Sequence, residues 1–316
     1  VRFDQQDEVS AYLRSGKLSD GPHLILGGGS NLLLVGDVAG TVLHPMLKGV
    51  TVIHEDTDHI QVRAMAGENW DDVVAYAVAA GWGGIENLTL IPGSVGACAI
   101  QNIGAYGVEV DSVIERVEAL TLPEGHPVSF GAEACEFDYR DSVFKRRWQG
   151  RHLITAVVFR LRRRPQFRLS YAGVSQTLKK IGPVSLENVR KAIIDLRQRK
   201  LPDPAELGNA GSFFKNPVVD ANTLNTLRKE HPTLPHYPHG SADFKLAAGW
   251  LIDQCGWKGR SLGDAAVHDR QALVLVNRGR ASGKEILELS RQIARSVQRR
   301  FGLVLEREVQ VVGSGS

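Results

Sequence analysis

The stretch from Gly83 to Gly107 constrains the fold of this chain more than any other, because it is long, rich in small residues and poor in charge. Such a segment buries little apolar surface of its own. It suits a place where the backbone wraps closely around a large flat ligand, with N–H groups directed at phosphates. The alternative is a loop without regular structure, and long loops of that kind are uncommon in compact domains unless they carry a function.

A second glycine-rich segment, Gly27-Gly28-Gly29-Ser30-Asn31, lies between two apolar runs that are predicted as strands, residues 22–26 and 32–35. Consecutive glycines allow several backbone N–H groups to point at one anion, which makes a nest suited to a diphosphate. The segment is not a dinucleotide fingerprint, since a glycine is missing at position 32 and a strand follows. No G-K-[ST] sequence is present, which argues against a P-loop nucleotide triphosphatase. A tight hairpin between the two runs is the alternative.

A third segment, residues 208–217, presents Ser212 between glycines and two phenylalanines. The glycines permit positive φ or a close approach to a ligand, and the aromatic rings lower the dielectric around the hydroxyl. Lys215 and Asn216 add hydrogen-bond donors for an anionic or oxygen-rich substrate. The alternative is a tight turn whose serine bonds its own backbone.

Three charged side chains elsewhere are candidates for a polar site. Arg140, between Tyr139 and Asp141, is either part of a structural salt bridge or a planar cationic clamp on a carboxylate. Glu306 and Glu308 project to one face of a predicted strand by its two-residue period. Two carboxylates on one face must be paired or must point into a polar site.

Composition limits the class of protein. A chain of 316 residues suggests two or three domains, and 43% hydrophobic with 23% charged residues describes a soluble globular protein of net charge +3. The basic run at residues 160–164 is typical of a solvated strand end, so nucleic-acid binding is not expected. Three cysteines without C-x-x-C spacing and ten scattered histidines indicate a reducing compartment and no metal site. No apolar run approaches the roughly 20 residues of a membrane span.

Periodicity predicts both strands and helices. Residues 1–20 are predicted to hold a short strand and an amphipathic helix, and residues 218–240 a helix and a surface loop. The remaining predicted strands are 41–43, 60–64, 113–122, 128–130, 153–161, 271–277 and 303–312, and the remaining predicted helices are 67–80, 186–200, 245–255 and 283–301. Asn69 is the expected cap of the helix at 67–80, and Pro202 is expected to mark a domain boundary.

Taken together, these segments resemble a known family. The resemblance rests on the following stretches: Gly27 to Asn31, Ile91 to Gly96, Gln101 to Gly107, Tyr139 to Ser142, Gly208 to Pro217 and Leu305 to Val309. In this order they resemble the UDP-N-acetylenolpyruvoylglucosamine reductases, bacterial flavoenzymes of peptidoglycan precursor synthesis. The resemblance runs over essentially the whole chain. The arm ending in Tyr171-Ala172-Gly173 is similar to the substrate-covering loop of the type I branch.

The resemblance implies an α+β fold of three domains, with FAD-binding of the vanillyl-alcohol-oxidase (PCMH) type and a C-terminal substrate-binding α/β domain. The implied boundaries are 1–47 and 48–200 for two FAD-binding subdomains, 201–302 for the substrate-binding domain, and 303–316 for a strand that returns to the FAD-binding part. It also implies a cytoplasmic monomer that binds FAD non-covalently and uses NADPH to reduce a UDP-sugar. Metal, nucleic-acid and membrane partners are not expected.

The same resemblance implies the site residues. The catalytic residues would be Arg140, Ser212 and Glu308. The FAD-binding residues would be Gly27, Gly28, Gly29, Ser30, Asn31, Leu32, Pro92, Gly93, Ser94, Gly96, Ala97, Gln101, Asn102, Ile103, Gly104, Ala105, Tyr106 and Gly107. The substrate-binding residues would be Tyr171, Lys200, Asn216, Lys245, Lys258 and Gln271.

Two departures from the family pattern and three rival functions stand beside this interpretation. The family leads us to expect a further strand with a Thr-Phe-Gly-like segment ahead of Val1, and Arg307 stands where proline is common. Another flavin oxidase of the same fold would not need Ser212, Arg140 and Glu308 together. A serine hydrolase lacks support because no G-x-S-x-G is present. A non-catalytic protein that binds a nucleotide-sugar would keep the pocket without a flavin.

Overall fold

The computed structural model describes residues 1–18 and 21–313. They form two compact units. The first unit comprises Val1–Gly29 and Ala39–Arg199, and the second comprises Ser30–Val38 and the chain from Lys200 onward. The division therefore falls inside the Gly27-to-Asn31 segment. Residues 19, 20 and 314–316, which belong to the predictions for residues 1–20 and 303–316, lie outside the described residues.

The described chain contains both helices and strands and is therefore of mixed α and β type. The helices are α1 Gln6–Arg14, α2 Trp70–Ala79, α3 Val95–Gln101, α4 Val174–Ile181, α5 Leu186–Lys200, α6 Ala221–Glu230, α7 Ala248–Gln254 and α8 Gly283–Phe301. The strands are β1 Arg2–Phe3, β2 His23–Ile25, β3 Leu32–Leu34, β4 Thr41–Pro45, β5 Val50–Glu55, β6 His59–Met65, β7 Gly104–Ala105, β8 Val108–Glu109, β9 Ile114–Thr121, β10 Pro127–Gly131, β11 His152–Arg162, β12 Asn209–Ser212, β13 Val218–Asp220, β14 His236–His239, β15 Asp243–Leu246, β16 Ser261–Leu262, β17 Ala265–Val267, β18 Val274–Asn277 and β19 Gln310–Val312.

The first unit is built on a five-stranded antiparallel sheet of order β10-β9-β11-β6-β5. Helix α2 begins where Asn69 accepts hydrogen bonds from the N–H groups of Asp71 and Asp72, as the sequence predicts. The helix buries Trp70, whose ring meets Phe159 of β11 edge to face at 5.7 Å between centroids. This packing holds α2 and the segment that follows it against the sheet.

A smaller parallel sheet of order β1-β4-β2 completes the strands at the start of the first unit. Strand β2 pairs with β4, whereas β3 belongs to the second unit and pairs with β19. The glycine segment between β2 and β3 thus does not close a tight hairpin, and the hairpin alternative is wrong. Instead, β2 pairs in parallel with the nearby strand β4, and β3 pairs in parallel with β19 near the end of the described chain.

The second unit contains two antiparallel sheets, β12-β18-β17-β16 and β13-β15-β14, and the parallel pair β3-β19. Helix α8 begins at a capping box in which Ser282 and Glu285 bond each other's backbone N–H, and it ends at Gly302 with φ 70°. Its first residue, Gly283, lies so close to β3 that a Cβ there would be 1.8 Å from the carbonyl oxygen of Leu34. Local cap signals and one close approach therefore determine the position of α8.

Several local predictions are confirmed and several are wrong. Helices α5 and α8 have the predicted bounds, and the basic run at residues 160–164 starts in the last residues of β11 and continues just beyond its end at Arg162. The stretch 83–107 is not structureless, since it contains α3 and a 3-10 turn at Glu86–Leu88. Lys245 lies in β15 and not in a helix, because β15 pairs with β13 and β14 on both sides. Strand β14 in the predicted surface loop was missed, and of the predicted strand 303–312 only the end is β19.

Candidate active site

The two glycine-rich segments of the first unit meet each other. A Cβ on Gly28 would lie 3.0 Å from the Cα of Gly93, and a Cβ on Gly27 would lie 2.8 Å from the Oγ of Ser94. Glycine at position 28 therefore permits the close approach of the two segments, since a side chain there would press on the backbone of Gly93. The meeting of segments so far apart in sequence is what the sequence interpretation of a wrapped ligand requires.

Helix α3 leads into a tightly held turn. Its C-cap, Asn102, is fully buried in the left-handed region with φ 43°. The Nδ2 of Asn102 donates to the carbonyl oxygen of Asp138 at 2.9 Å, and its Oδ1 accepts from the N–H of Asp111 at 3.1 Å. A buried asparagine thus joins the glycine-rich stretch to the Tyr139-Arg140-Asp141 turn.

Arg140 is anchored on this stretch. Its Nη1 donates to the carbonyl oxygen of Asn102 at 3.3 Å, and its Nη2 donates to the carbonyl oxygen of Gly104. The Oε1 of Glu109 lies 3.8 Å from Nη1. The guanidinium carbon lies 5.2 Å from the centroid of the Tyr139 ring. An ion pair is thus present, but with Glu109. Because the backbone carbonyls orient the planar group, Arg140 also has the preorganisation that a clamp on a carboxylate needs.

Two tyrosines of the first unit face each other beside this stretch. Tyr106 and Gly107, at φ 49° and 80°, form the turn between β7 and β8. The rings of Tyr106 and Tyr171 meet edge to face with centroids 5.2 Å apart. Burial raises the pKa of Tyr106, so its phenol is neutral at pH 7. Tyr171, at the end of the arm, is 39% exposed and can contact a ligand.

In the second unit the structure brings Ser212 and Glu308 together through the backbone. Ser212 ends β12, and the following Phe213 and Phe214 are buried, as the sequence interpretation of an aromatic wall expects. The N–H of Glu308 donates to the carbonyl oxygen of Phe213 at 2.9 Å. The Nδ2 of Asn31 donates to the carbonyl oxygen of Glu308 at 3.2 Å. Asn31, Ser212 and Glu308 are therefore neighbours.

Glu306 and Lys215 form an ion pair with each other. Their charged atoms lie 2.7 Å apart, and the N–H of Lys215 donates to the carbonyl oxygen of Glu306 at 2.9 Å. Glu306 therefore satisfies the expectation that one of the two carboxylates is paired. Lys215 is thus engaged in the ion pair with Glu306. Glu308, by contrast, is half-buried.

Three of the remaining substrate-binding candidates of the second unit lie against helix α7. The Oδ1 of Asn216 accepts from the N–H of Ala248 at the start of α7, at 2.9 Å. A Cβ on Gly249, in the first turn of α7, would be 3.0 Å from the Oε1 of Gln271. The Nζ of Lys258 lies 3.5 Å from Asp253 near the end of the helix. Lys200 is the exposed last residue of α5, at the start of the second unit, and Lys245 lies in the middle strand of its sheet.

Residues 203–312 match the family model described as UDP-N-acetylenolpyruvoylglucosamine reductase, C-terminal domain, and residues 1–131 match the FAD binding domain model. The chain is 51% identical over 311 residues to UDP-N-acetylenolpyruvoylglucosamine reductase of Chromobacterium violaceum, with 97% of this chain and 91% of the relative covered. It belongs to the UDP-N-acetylenolpyruvoylglucosamine reductase family.

Further relatives agree with this membership. The reductase of the same name from Bacteroides fragilis is 48% identical over 312 residues, covering 99% of this chain and 93% of that protein. The crystal structure of UDP-N-acetylenolpyruvylglucosamine reductase from Thermus caldophilus has a TM-score of 0.65 at 24% identity, covering 98% and 91% of the two chains. That likeness shows the shared fold. The predicted α+β fold with an FAD-binding part is confirmed.

As a member of the reductase family, the chain is an FAD-dependent oxidoreductase, and the FAD prediction is confirmed. The first unit fits this cofactor physically. The backbones of Gly28 and Gly93 approach closely without a side chain between them, and Gly27 lies against the small side chains of Ser94 and Ala97. Cys98 is a buried thiol whose pKa burial raises well above its usual range, so it is not a reactive nucleophile.

Among the described residues, neither a candidate metal-binding group nor a candidate membrane-spanning helix is present. Residues 1–18 and 21–313 include no group of three or more histidine, cysteine, aspartate or glutamate side chains that could hold a metal ion. Within the same ranges, no helix combines the length and the apolarity needed to cross a bilayer.

Sequence reasoning missed two polar residues that the structure places beside these segments. Lys145 donates from Nζ to the Oε1 of Gln101 at 3.0 Å and to the carbonyl oxygen of Arg140 at 2.8 Å, and so supports the Arg140 turn. Asn87 donates to the carbonyl oxygens of Tyr106 and Arg168. Lys145 follows the motif at Tyr139 to Ser142, which is a usable signal. Nothing local marks Asn87, because both of its partners are distant in sequence.

Proposed function

We propose that this protein reduces UDP-N-acetylenolpyruvoylglucosamine to UDP-N-acetylmuramate with NADPH as the reductant, as a step of peptidoglycan precursor synthesis. The observation that carries the proposal is the 51% identity to a named reductase over nearly the full length of both chains. We further propose a cytoplasmic monomer that holds FAD non-covalently. The division into two FAD-binding subdomains, 1–47 and 48–200, a substrate-binding domain, 201–302, and a returning strand, 303–316, remains part of the proposal.

The chemistry that bound FAD supplies is hydride transfer to C3 of the enolpyruvyl ether. Addition at C3 moves negative charge through C2 into the carboxylate, and preorganised donors stabilise such charge. Arg140 is assigned to that carboxylate, since its planar cation is oriented by backbone carbonyls. Glu308, in its protonated form, donates a hydrogen bond to the same substrate carboxylate. The hydroxyl of Ser212 donates a proton to C2, which completes reduction of the double bond.

The other roles follow the same assignment. The substrate's diphosphate, sugar and uridine are assigned to Tyr171, Lys200, Asn216, Lys245, Lys258 and Gln271. FAD is assigned to the residues of the two glycine-rich segments named in the sequence analysis. The neighbourhood of Ser212 and Glu308, joined through Phe213, supports a shared role for these two residues.

The visible spectrum of the purified protein tests the proposed activity. We expect a yellow protein that bleaches with NADPH under anaerobic conditions and regains its colour with the enolpyruvyl UDP-sugar. A protein that regains colour with oxygen and not with the UDP-sugar would indicate another flavin oxidase. A protein that stays colourless with added FAD would contradict the proposal.

Ser212→Ala tests the assigned proton donor. We expect flavin reduction by NADPH to stay nearly unchanged and reoxidation by the UDP-sugar to slow by about 10²–10⁴-fold, the usual contribution of a positioned general acid. Stopped-flow absorbance measures both half-reactions separately. Ser261→Ala, at an exposed serine of the same unit, is the matched control and should change neither. A comparable loss in both half-reactions for Ser212→Ala would overturn its role.

A further inference from the structure

A single buried amide connects the turn at Tyr106 with the arm that leads to Tyr171. Asn87 lies in the 3-10 turn Glu86–Leu88 and is 1% exposed. Its Nδ2 donates to the carbonyl oxygen of Tyr106 at 2.9 Å and to the carbonyl oxygen of Arg168 at 2.8 Å. Both amide protons of one side chain are therefore used to hold two loops that are distant in sequence.

The orientation of this amide follows from its partners. Turning the side chain over would bring Oδ1 against two carbonyl oxygens, which cannot donate. In the oriented form, the Oδ1 of Asn87 is buried and has no hydrogen-bond partner within the described residues. Burying an acceptor in this way costs free energy. Asn87 therefore makes two hydrogen bonds through Nδ2 while its unpaired Oδ1 lowers stability. This cost indicates that the link between the two loops has a role of its own.

The arm is held at two neighbouring points. Asn87 holds the carbonyl of Arg168, and the Oγ of Ser175 donates to the carbonyl oxygen of Leu169 at 2.8 Å. Two residues further on, the ring of Tyr171 lies against the ring of Tyr106. The carbonyl of Tyr106 is itself bonded to Asn87, so the same side chain holds one member of the tyrosine pair and the arm that carries the other.

The base that carries Asn87 is rigid. Asp71 on α2 accepts from the N–H of Leu90 at 2.7 Å, and Arg190 on α5 binds both carboxylate oxygens of Asp71 at 2.7 and 2.9 Å. Arg190 also donates to the Oγ1 of Thr89 at 3.1 Å. The residues that follow Asn87 are thus fastened to two helices, so its amide can define the position of the loops it bonds.

We propose that Asn87 is a positioning residue that ties the substrate-covering arm to the cofactor-binding turn and so sets the place of Tyr171 over the UDP-sugar. The inference rests on the proposed function for the role of Tyr171. The connection itself rests on the two hydrogen bonds and the ring contact alone.

Asn87→Asp tests the connection in the FAD-loaded protein, since the ionised side chain keeps the shape and loses both donors. We expect KM for the UDP-sugar to rise about tenfold or more, the usual effect of losing buried hydrogen bonds, while flavin reduction by NADPH changes little. Asn277→Asp is the matched control, because the Nδ2 of Asn277 also donates to a backbone carbonyl, that of Ala281 at 2.8 Å. It should leave KM unchanged.

Two further readouts separate positioning from a general loss of structure. A protonated aspartic acid can donate one hydrogen bond, so the ratio of the variant's KM to that of the wild type should fall as pH is lowered. In a Tyr171→Ala background, Asn87→Asp should raise KM far less than in the wild type, because the two residues act as one unit. Additive effects of the two substitutions would overturn the inference.

Hydrogen exchange distinguishes failure of the inference from failure of the proposed function. The backbone amides of residues 166–173 should exchange faster in Asn87→Asp than in the wild type and in Asn277→Asp, whatever the activity. Unchanged exchange in this arm would overturn the inference. Faster exchange in a protein whose wild type does not reduce the UDP-sugar would support the connection and contradict the proposed function.

Discussion

Replacing Asp71 by Asn is expected to destabilise the first unit more than a matched change on the protein surface. The carboxylate of Asp71 accepts both arms of the Arg190 guanidinium and the N–H of Leu90, in three hydrogen bonds of 2.7 to 2.9 Å. The side chains of Asp71 and Arg190 are only 20% and 18% exposed. Asparagine keeps one acceptor oxygen but turns an NH₂ group toward the guanidinium and removes the charge.

The expected loss is about 2 kcal/mol in the free energy of unfolding. Hydrogen bonds to charged groups contribute roughly 1.5–3 kcal/mol, and the remaining exposure of this pair keeps the value below that of a fully buried one. The control is Asp195→Asn, which breaks the exposed i,i+4 pair with Arg199 on α5. Exposed helical pairs of this kind contribute about 0.5 kcal/mol or less.

The difference between wild type and Asp71→Asn is expected to depend on pH. Burial alone would raise the pKa of Asp71, but the bonds from Arg190 and Leu90 outweigh it and hold the pKa below its ordinary 3.8. A lowered pKa in the folded state means that the stabilisation is complete above pH 3.8 and is lost as pH falls through the folded value. The difference should therefore be full at neutral pH and shrink in acid.

Urea denaturation followed by circular dichroism, at neutral pH and in a series below pH 5, measures these free energies. The transition slope should be compared first, since only an unchanged slope permits a comparison of midpoints. A loss for Asp71→Asn no larger than that for Asp195→Asn would refute the reasoning. So would a difference that persists undiminished at the acid end of the series.

Two further substitutions test the packing of each unit. Gly283→Ala should lower the thermal midpoint strongly, because a Cβ there would be 1.8 Å from the carbonyl oxygen of Leu34, whereas Gly131→Ala, with no atom within 4 Å, should not. Equal midpoints for the two variants would show that α8 and β3 are not so close. Trp70→Phe should cost about 1–3 kcal/mol in urea, since it removes the 2.8 Å hydrogen bond from Nε1 to the carbonyl oxygen of Leu88. An unchanged unfolding free energy would contradict that.

Much of the local structure could be predicted because its causes are local. Helix α8 has its predicted bounds since Ser282 and Glu285 cap one end and Gly302 the other. The small apolar residues after Lys245 favour a helix, but Val218 and Tyr237 pair with Lys245 from either side and place it in a strand. Val218 lies well before Lys245 in the chain, so the residues around Lys245 do not reveal this pairing.

In the candidate site, too, some residues are recognisable from the local sequence and others only from their contacts in the folded protein. The glycine segments, Ser212 and Arg140 were recognisable because small residues and isolated charges in such settings are unusual. Their roles in catalysis remain predictions. Asn87 was not recognisable, since an asparagine in a turn is ordinary until its two carbonyl partners are known.

The reductase family, the α+β class and the capped helices can be read from the amino-acid sequence, because they follow from the order of motifs and from interactions within a few residues. The folded protein was needed to show that Glu308 lies beside Phe213, that β3 pairs with β19 and that Asn87 joins two loops. Each of these depends on hydrogen bonds between residues far apart in the chain, whose partners are chosen when the core packs and not by local propensity.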